Sequence, residues 1–236
     1  MDRTTNEFFI SKQLKVNNIY QYLPLAKLIT QLTLGKYAIT RKSCFEDINE
    51  KKRNIKLAFL PIEAGVIPDD DTRMRILYQL NSMKEYETLS QNFASCWSMN
   101  TSESFHMWKC YGGDYGVCIV SSVNNVIASF HHEEFSRYKT YCAPISYRNP
   151  DFTDTPEDSC FIKGPEYKSE NELRFFFVPK DKDDMGGELI WIPYDYKVMI
   201  DKIILSPFIS RNMFGAFSAF LKNTFGLEVA RSVIEI

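Results

Sequence analysis

SENELRFFF, residues 169–177, decides how this chain is read. Side chains of a strand alternate with period two, so Glu170, Glu172 and Arg174 would all point the same way if the whole stretch were strand. Phe175–Phe176–Phe177 runs straight into Val178, and a strand that apolar belongs in a core. Two carboxylates and a guanidinium at its mouth are then either a solvated end or a site. A carboxylate there needs a partner or a task. Arg174 can pair with either glutamate, so a structural ion pair and a functional site account for the pattern equally well.

Outward from this stretch, the composition is that of a globular protein. The 236 residues are 44% hydrophobic, 25% charged and 14% aromatic, enough for one sizeable core. The opening MDRTTNEFFISK has no basic stretch followed by an apolar one, which predicts no signal peptide. No apolar run reaches the roughly 18–20 residues that span a bilayer. The six cysteines show no CxxC and no ligand-like pairing, and read as free, mostly buried thiols of a reducing compartment. A cytoplasmic location follows as the expectation. The net charge of −2 hides an asymmetry: residues 1–56 hold 11 Lys/Arg against 5 Asp/Glu, or +6, and the remainder carries −8. Runs such as Lys51–Lys52–Arg53 read as a solvated face or as a phosphate-contacting patch.

Along the chain, residues 17–23 predict a strand, Pro24 opens a helix that Gly35 closes, and residues 36–40 predict a second strand. Residues 44–70 are polar and irregular, and residues 72–90 have helical spacing at Met74, Leu77, Leu80, Met83, Tyr86 and Leu89. Strands are expected over 92–98, 115–121, 140–147, 170–178, 188–192 and 197–205, with Pro207 ending the last. Ser102 is expected to cap a short helix through Cys110, and residues 214–226 a helix before a closing strand. Strands dominate without a βαβ beat, which predicts a single mixed α+β domain over residues 1–236.

Several chemistries lack their motifs. There is no GxxxxGK[ST], no GxGxxG after a strand and no GxSxG. The three histidines, His106, His131 and His132, have no second histidine at i+3 or i+4, so no metal is expected. What remains is polar and aromatic. Tyr20 and Tyr22 share a strand face, Ser95, Trp97 and Ser98 fall at a strand end, and Trp108 and Tyr111 are spaced i, i+3. Each aromatic taken alone reads first as core.

The order of these pieces resembles a known family. YQYLPLAKLITQLTLGKYAITRKSCFED (20–47) is similar to the first motif of bacterial ADP-ribosyltransferase-like toxins: a tyrosine-bearing strand, a helix ending in Gly, a short strand, and a turn that here reads Phe45–Glu46–Asp47. ASCWSMNTSESFHMWKCYGGDYGVCIV (94–120) resembles the Cys–aromatic–Ser and Met–Trp-x-x-Tyr block of a bacterial domain family related to abortive-infection proteins. SENELRF (169–175) is similar to its Glu-x-Glu-x-Arg block, and IDKIILSPFIS (200–210) to its strand followed by Ser-Pro-Phe. Gln21 departs from the toxins, which often carry His or Arg near that position.

The resemblance implies split, mostly antiparallel sheets around an NAD cleft, and transfer of ADP-ribose from NAD to a macromolecule. It assigns Glu172 as the catalytic carboxylate, with Glu170 assisting and Tyr111 beside them. Tyr20, Gln21, Tyr22, Arg41, Ser98, Trp108 and Arg174 would hold the NAD. The cell would need a neutralising antitoxin protein, and the basic N-terminal portion favours nucleic acid over protein as acceptor. A non-catalytic nucleotide- or protein-binding module of the same fold and an NAD glycohydrolase are the alternatives.

Overall fold

Strands of two to eight residues build the molecule, the longest of them at its centre, and their pairing is set by which face each turns inward. The computed structural model of the chain describes residues 8–10, 18–45, 91–149, 160–181 and 187–236. The predicted helix over 72–90, the Lys51–Lys52–Arg53 run, and Glu46 and Asp47 of the predicted turn lie outside those residues. In chain order the first elements are β1 (Phe8–Ile10), β2 (Ile19–Pro24), α1 (Leu25–Leu34) and β3 (Lys36–Arg41). Pro24 ends β2 in extended geometry and hands over to α1, which stops where Gly35 takes the left-handed φ of 60°. Next come β4 (Phe93–Ser98), a short α2 (Phe105–Met107) that continues as a π-helical turn over Trp108–Gly112, and β5 (Gly116–Ser121).

The middle holds α3 (Val123–Ser129), α4 (His132–Phe135), β6 (Tyr138–Pro144), β7 (Ser146–Tyr147), β8 (Ile162–Lys163) and a 3-10 turn over Pro165–Glu170. The last part is β9 (Glu172–Pro179), β10 (Leu189–Pro193), α5 (Tyr196–Met199), β11 (Lys202–Leu205), α6 (Arg211–Phe225) and β12 (Val229–Arg231).

These elements form one mixed α/β unit around a ten-stranded sheet. Its main path runs β1-β6-β9-β4-β2-β5-β11-β12, with β10-β3 branching from β4. Within this sheet, among the described residues, only β1–β6 and β11–β12 pair in parallel. Two separate sheet pieces around a cleft are not what is seen: the sheet is continuous but forks. β4 pairs along its whole length with β9, whereas on its other side Phe93 and Ala94 meet β3 and Ser98 meets β2. A separate two-stranded parallel sheet, β7–β8, lies apart from this ladder.

One sheet face carries Ile19, Leu23, Phe93, Trp97, Val117, Ile119, Leu173, Phe175 and Phe177, all buried against helices through Leu28, Val126, Phe135, Met199 and Leu221. Fully burying each such side chain stabilises by about 1.5–3 kcal/mol. The opposite face carries Tyr20, Tyr22, Cys118, Val120 and Ile204 beneath Met107 and Trp108.

Four local expectations are corrected. Glu170 belongs to the 3-10 turn, and the strand begins at Glu172. Ser104, not Ser102, caps the short helix, its hydroxyl accepting the Met107 N–H at 3.3 Å. Residues 196–199 are helical, so the strand expected over 197–205 is confined to Lys202–Leu205. The strand expected over 140–147 is two strands, β6 and β7.

Candidate functional site

The site is built on a row of directly opposed residues. Glu172 of β9 faces Ser98 of β4, Ser98 faces Tyr20 of β2, and Tyr20 faces Val120 of β5. Opposed residues of neighbouring strands share a sheet face. Tyr22 and Arg174, two positions along, share it as well. Tyr20 is buried, with its hydroxyl 3.5 Å from the Thr101 carbonyl. The Tyr22 hydroxyl accepts the Ser104 N–H at 2.9 Å, and its ring meets Trp108 edge-on at 4.9 Å. Burial raises the Tyr22 phenol far above its ordinary pKa and keeps it protonated.

Glu170 and Glu172 reach this face by different routes. Asn171 between them is held at φ 45°, a left-handed conformation that Asn tolerates better than most residues. It turns the 3-10 segment into the strand, so the two glutamates are not an i, i+2 strand pair. The carbonyls of all three are tied down: Glu170 O accepts the Ser98 hydroxyl at 2.9 Å, Asn171 O the Met99 N–H at 2.8 Å, and Glu172 O the Ile145 N–H at 2.9 Å.

The side chains then converge. Lys163 Nζ is 2.7 Å from Glu170 Oε2 and 3.7 Å from Glu172 Oε2. Arg174 Nε donates to Glu172 Oε1 at 2.7 Å, and one of its terminal nitrogens donates to the Cys160 carbonyl at 2.8 Å. The Tyr111 hydroxyl donates to Glu170 Oε1 at 2.8 Å, and the Tyr147 hydroxyl accepts the Glu172 N–H at 2.6 Å. Desolvation first, and then the neighbouring Glu170 charge, push the Tyr111 phenol well above its usual range. Glu170 and Glu172 are each 4% exposed and Arg174 is 0% exposed, so the expected carboxylates at a strand mouth are instead buried. The like charges of the two carboxylates repel, and the two cations between and beside them offset that repulsion. Buried charges persist when paired in this way.

The structure brings Tyr20, Tyr22, Ser98, Trp108, Tyr111, Glu170, Glu172 and Arg174 to one side of the sheet. Gln21 points to the other. Its amide oxygen accepts from the Tyr37 hydroxyl at 2.9 Å, and its amide nitrogen donates to Ser95 Oγ at 3.2 Å and to the Cys96 carbonyl at 3.4 Å. Ser95 Oγ also accepts the Trp97 indole N–H at 3.0 Å. Arg41 lies away from the row as well: it sits opposite Phe93, five positions along β4 from Ser98, or about 16 Å at the usual rise. Its guanidinium bonds Gln91 and lies over the Phe93 ring.

Trp108 and Tyr111 do not share a helix face, because the turn that carries them is π-helical. Trp108 is fully buried, its indole N–H donating to Glu103 at 3.0 Å, whereas Tyr111 is 43% exposed. Gly112 and Gly116 make the turn possible, since a Cβ on Gly116 would collide with the Gly112 carbonyl.

Two participants escaped the sequence reading, Lys163 and Tyr147. The one trace of Lys163 is its place after the apolar pair Phe161–Ile162 and before Gly164–Pro165. Tyr147 is hidden in a stretch read as plain strand. Among the described residues no group of His, Cys, Asp and Glu has the arrangement of a metal centre, and no described helix is long and apolar enough to cross a membrane. No protein-family model and no curated protein matches this chain.

Proposed function

We propose that this chain is an NAD-dependent ADP-ribosyltransferase, acting as an intracellular toxin or phage-defence effector. One observation carries the reading: Tyr20, Ser98 and Glu172, drawn from three separate motifs, stand in a single row across three neighbouring strands. Tyr22, Trp108 and the two carboxylate–cation pairs surround it.

In this reading the bond between nicotinamide and the ribose C1′ breaks and nicotinamide leaves with the electron pair. The transition state resembles an oxocarbenium ion, as in glycoside hydrolysis. Glu172 accepts a hydrogen bond from a ribose hydroxyl and stabilises the developing positive charge. Glu170 takes the proton that the acceptor loses as it bonds to C1′. Arg174 fixes Glu172, and the aromatic rings of the row hold the cationic nicotinamide. Because the carboxylates are buried, entry of NAD requires Tyr111 to leave Glu170. The acceptor is a macromolecule, nucleic acid favoured by the basic N-terminal portion, and an antitoxin protein restrains the activity in the cell.

A second reading has its own observation. Both oxygens of Glu172 are occupied, Oε1 by Arg174 and Oε2 by Lys163, as in a purely structural ion network. That arrangement suits a non-catalytic nucleotide- or protein-binding module. Purified protein incubated with labelled NAD and cell extract separates the readings. Label in nucleic acid or protein is the expected result. Free ADP-ribose alone would mean an NAD glycohydrolase, and no turnover would overturn the enzyme reading in favour of the module.

A further inference from the structure

We propose that Lys163 is a positioning residue, a single ammonium that fixes Glu170 and Glu172 relative to each other and so sets the aim of Glu172. The inference rests on the transferase reading. Lys163 and Tyr147 are register partners in the small β7–β8 sheet. Both side chains end at the start of β9. Tyr147 takes the Glu172 N–H, and the Lys163 ammonium lies 2.7 Å from one carboxylate and 3.7 Å from the other. This small sheet thus brings a hydroxyl and a cation to the residue at the β9 end of the row.

An ammonium suits the task, being a compact charge with three donors that can serve two carboxylates at once. It is 7% exposed and lies 4.6 Å from the centre of the Tyr167 ring. If Lys163 is removed, Glu170 keeps the Tyr111 hydroxyl and Glu172 keeps Arg174. Each carboxylate then retains a partner, but those partners sit on different elements and bind each glutamate separately. Loss of Lys163 therefore costs alignment before it costs pairing, and misplacement of a catalytic group by about 1 Å can lower turnover about 10²-fold.

The test compares K163M, K163R, E170Q and K163M/E170Q. The double variant removes one charge of each sign, so it keeps the balance of the buried cluster and folds where K163M alone fails. Its kcat for NAD, per folded molecule, is expected to lie about tenfold or more below that of E170Q, with KM for NAD little changed. K163R, which retains the cation, is expected to recover part of the loss seen in K163M. Equal kcat in E170Q and K163M/E170Q would overturn the proposal.

A second measurement needs no turnover. The Tm loss caused by K163M is expected to shrink in both the E170Q and the E172Q backgrounds. An undiminished loss in E172Q would show that the ammonium does not hold Glu172, and the proposal falls. A protein with no NAD turnover whose Tm loss still depends on both glutamates overturns the transferase reading and keeps Lys163 as the link between the carboxylates.

Discussion

The two faces of β4 carry two buried polar networks of opposite character. On the helix-covered face, Ser95, Gln21, Tyr37 and Trp97 satisfy one another with hydroxyls, an amide and an indole, and no charge takes part. On the other face, Ser98 braces a cluster of two carboxylates and two cations. The neutral network is mostly enclosed, with Tyr37 at 1% exposure and Gln21 partly buried. The charged one ends in a tyrosine that is 43% exposed. A neutral network closed by its own groups is sufficient to fix a fold. A charged network costs desolvation that an apolar packing would avoid, and it sits where a ligand could exchange with Tyr111. In the transferase reading, the chemistry belongs to the second face.

The comparison breaks or sharpens most with Glu172→Gln. Turnover per folded molecule is expected to drop by about 10²–10³, as when one preorganised electrostatic group is lost. The same change strips Arg174 and Lys163 of a buried charge, so Tm should fall as well, by the equivalent of up to about 3–5 kcal/mol. Normal turnover per folded molecule beside a lowered Tm would remove Glu172 from the reaction. Tyr37→Phe is the matching change on the neutral face. It leaves the Gln21 amide oxygen without its donor and should cost about 1–3 kcal/mol of stability. Its NAD turnover per folded molecule should stay at the wild-type level, and a loss comparable to that of Glu172→Gln would erase the distinction between the faces.

Tyr111→Phe should have a smaller effect still. The hydrogen bond that it removes ends on a charged group but is half-exposed, so a stability loss of no more than about 1.5 kcal/mol is expected. Near-normal turnover would make the ring, not the hydroxyl, the useful part. The smallest effect concerns thiols on the two sides of the sheet. Burial pushes the Cys142 thiol up to about 12 and that of Cys118 further. At pH 8 a thiol reagent should label the exposed Cys44 and Cys110 and leave Cys118 and Cys142 untouched in the native protein, as mass spectrometry would read. Rapid labelling of Cys142 would mean that β6 opens.

Much of this was legible in the residues. The period-two alternation of β2 put Tyr20 and Tyr22 on one face, the family resemblance added Ser98, and Pro24 and Gly35 marked the ends of α1. Periodicity failed where the backbone leaves its regular wells. Asn171 at φ 45° cut Glu170 off from the strand that starts at Glu172, and the π-helical turn separated Trp108 from Tyr111. Gln21 was assigned to the row through the family resemblance. The same alternation that puts Tyr20 and Tyr22 on one side sends Gln21 to the other. Lys163 could not have been placed from sequence, because its partners are brought to it by a two-stranded sheet too short to leave a pattern.

The fork in the sheet gives Gln21 a different significance. Between Ala94 and Ser98, β4 pairs with no described strand on the side where β2 and β3 diverge. An open stretch of backbone inside a sheet is a docking edge for foreign strands, the kind that leads to swapped dimers and fibres. The Gln21 amide, 3.4 Å from the Cys96 carbonyl and anchored at its other end by Tyr37, occupies that gap as a surrogate peptide group. Among the described residues, a side chain thus covers part of the gap that a strand would otherwise fill, and it is itself held by a phenol.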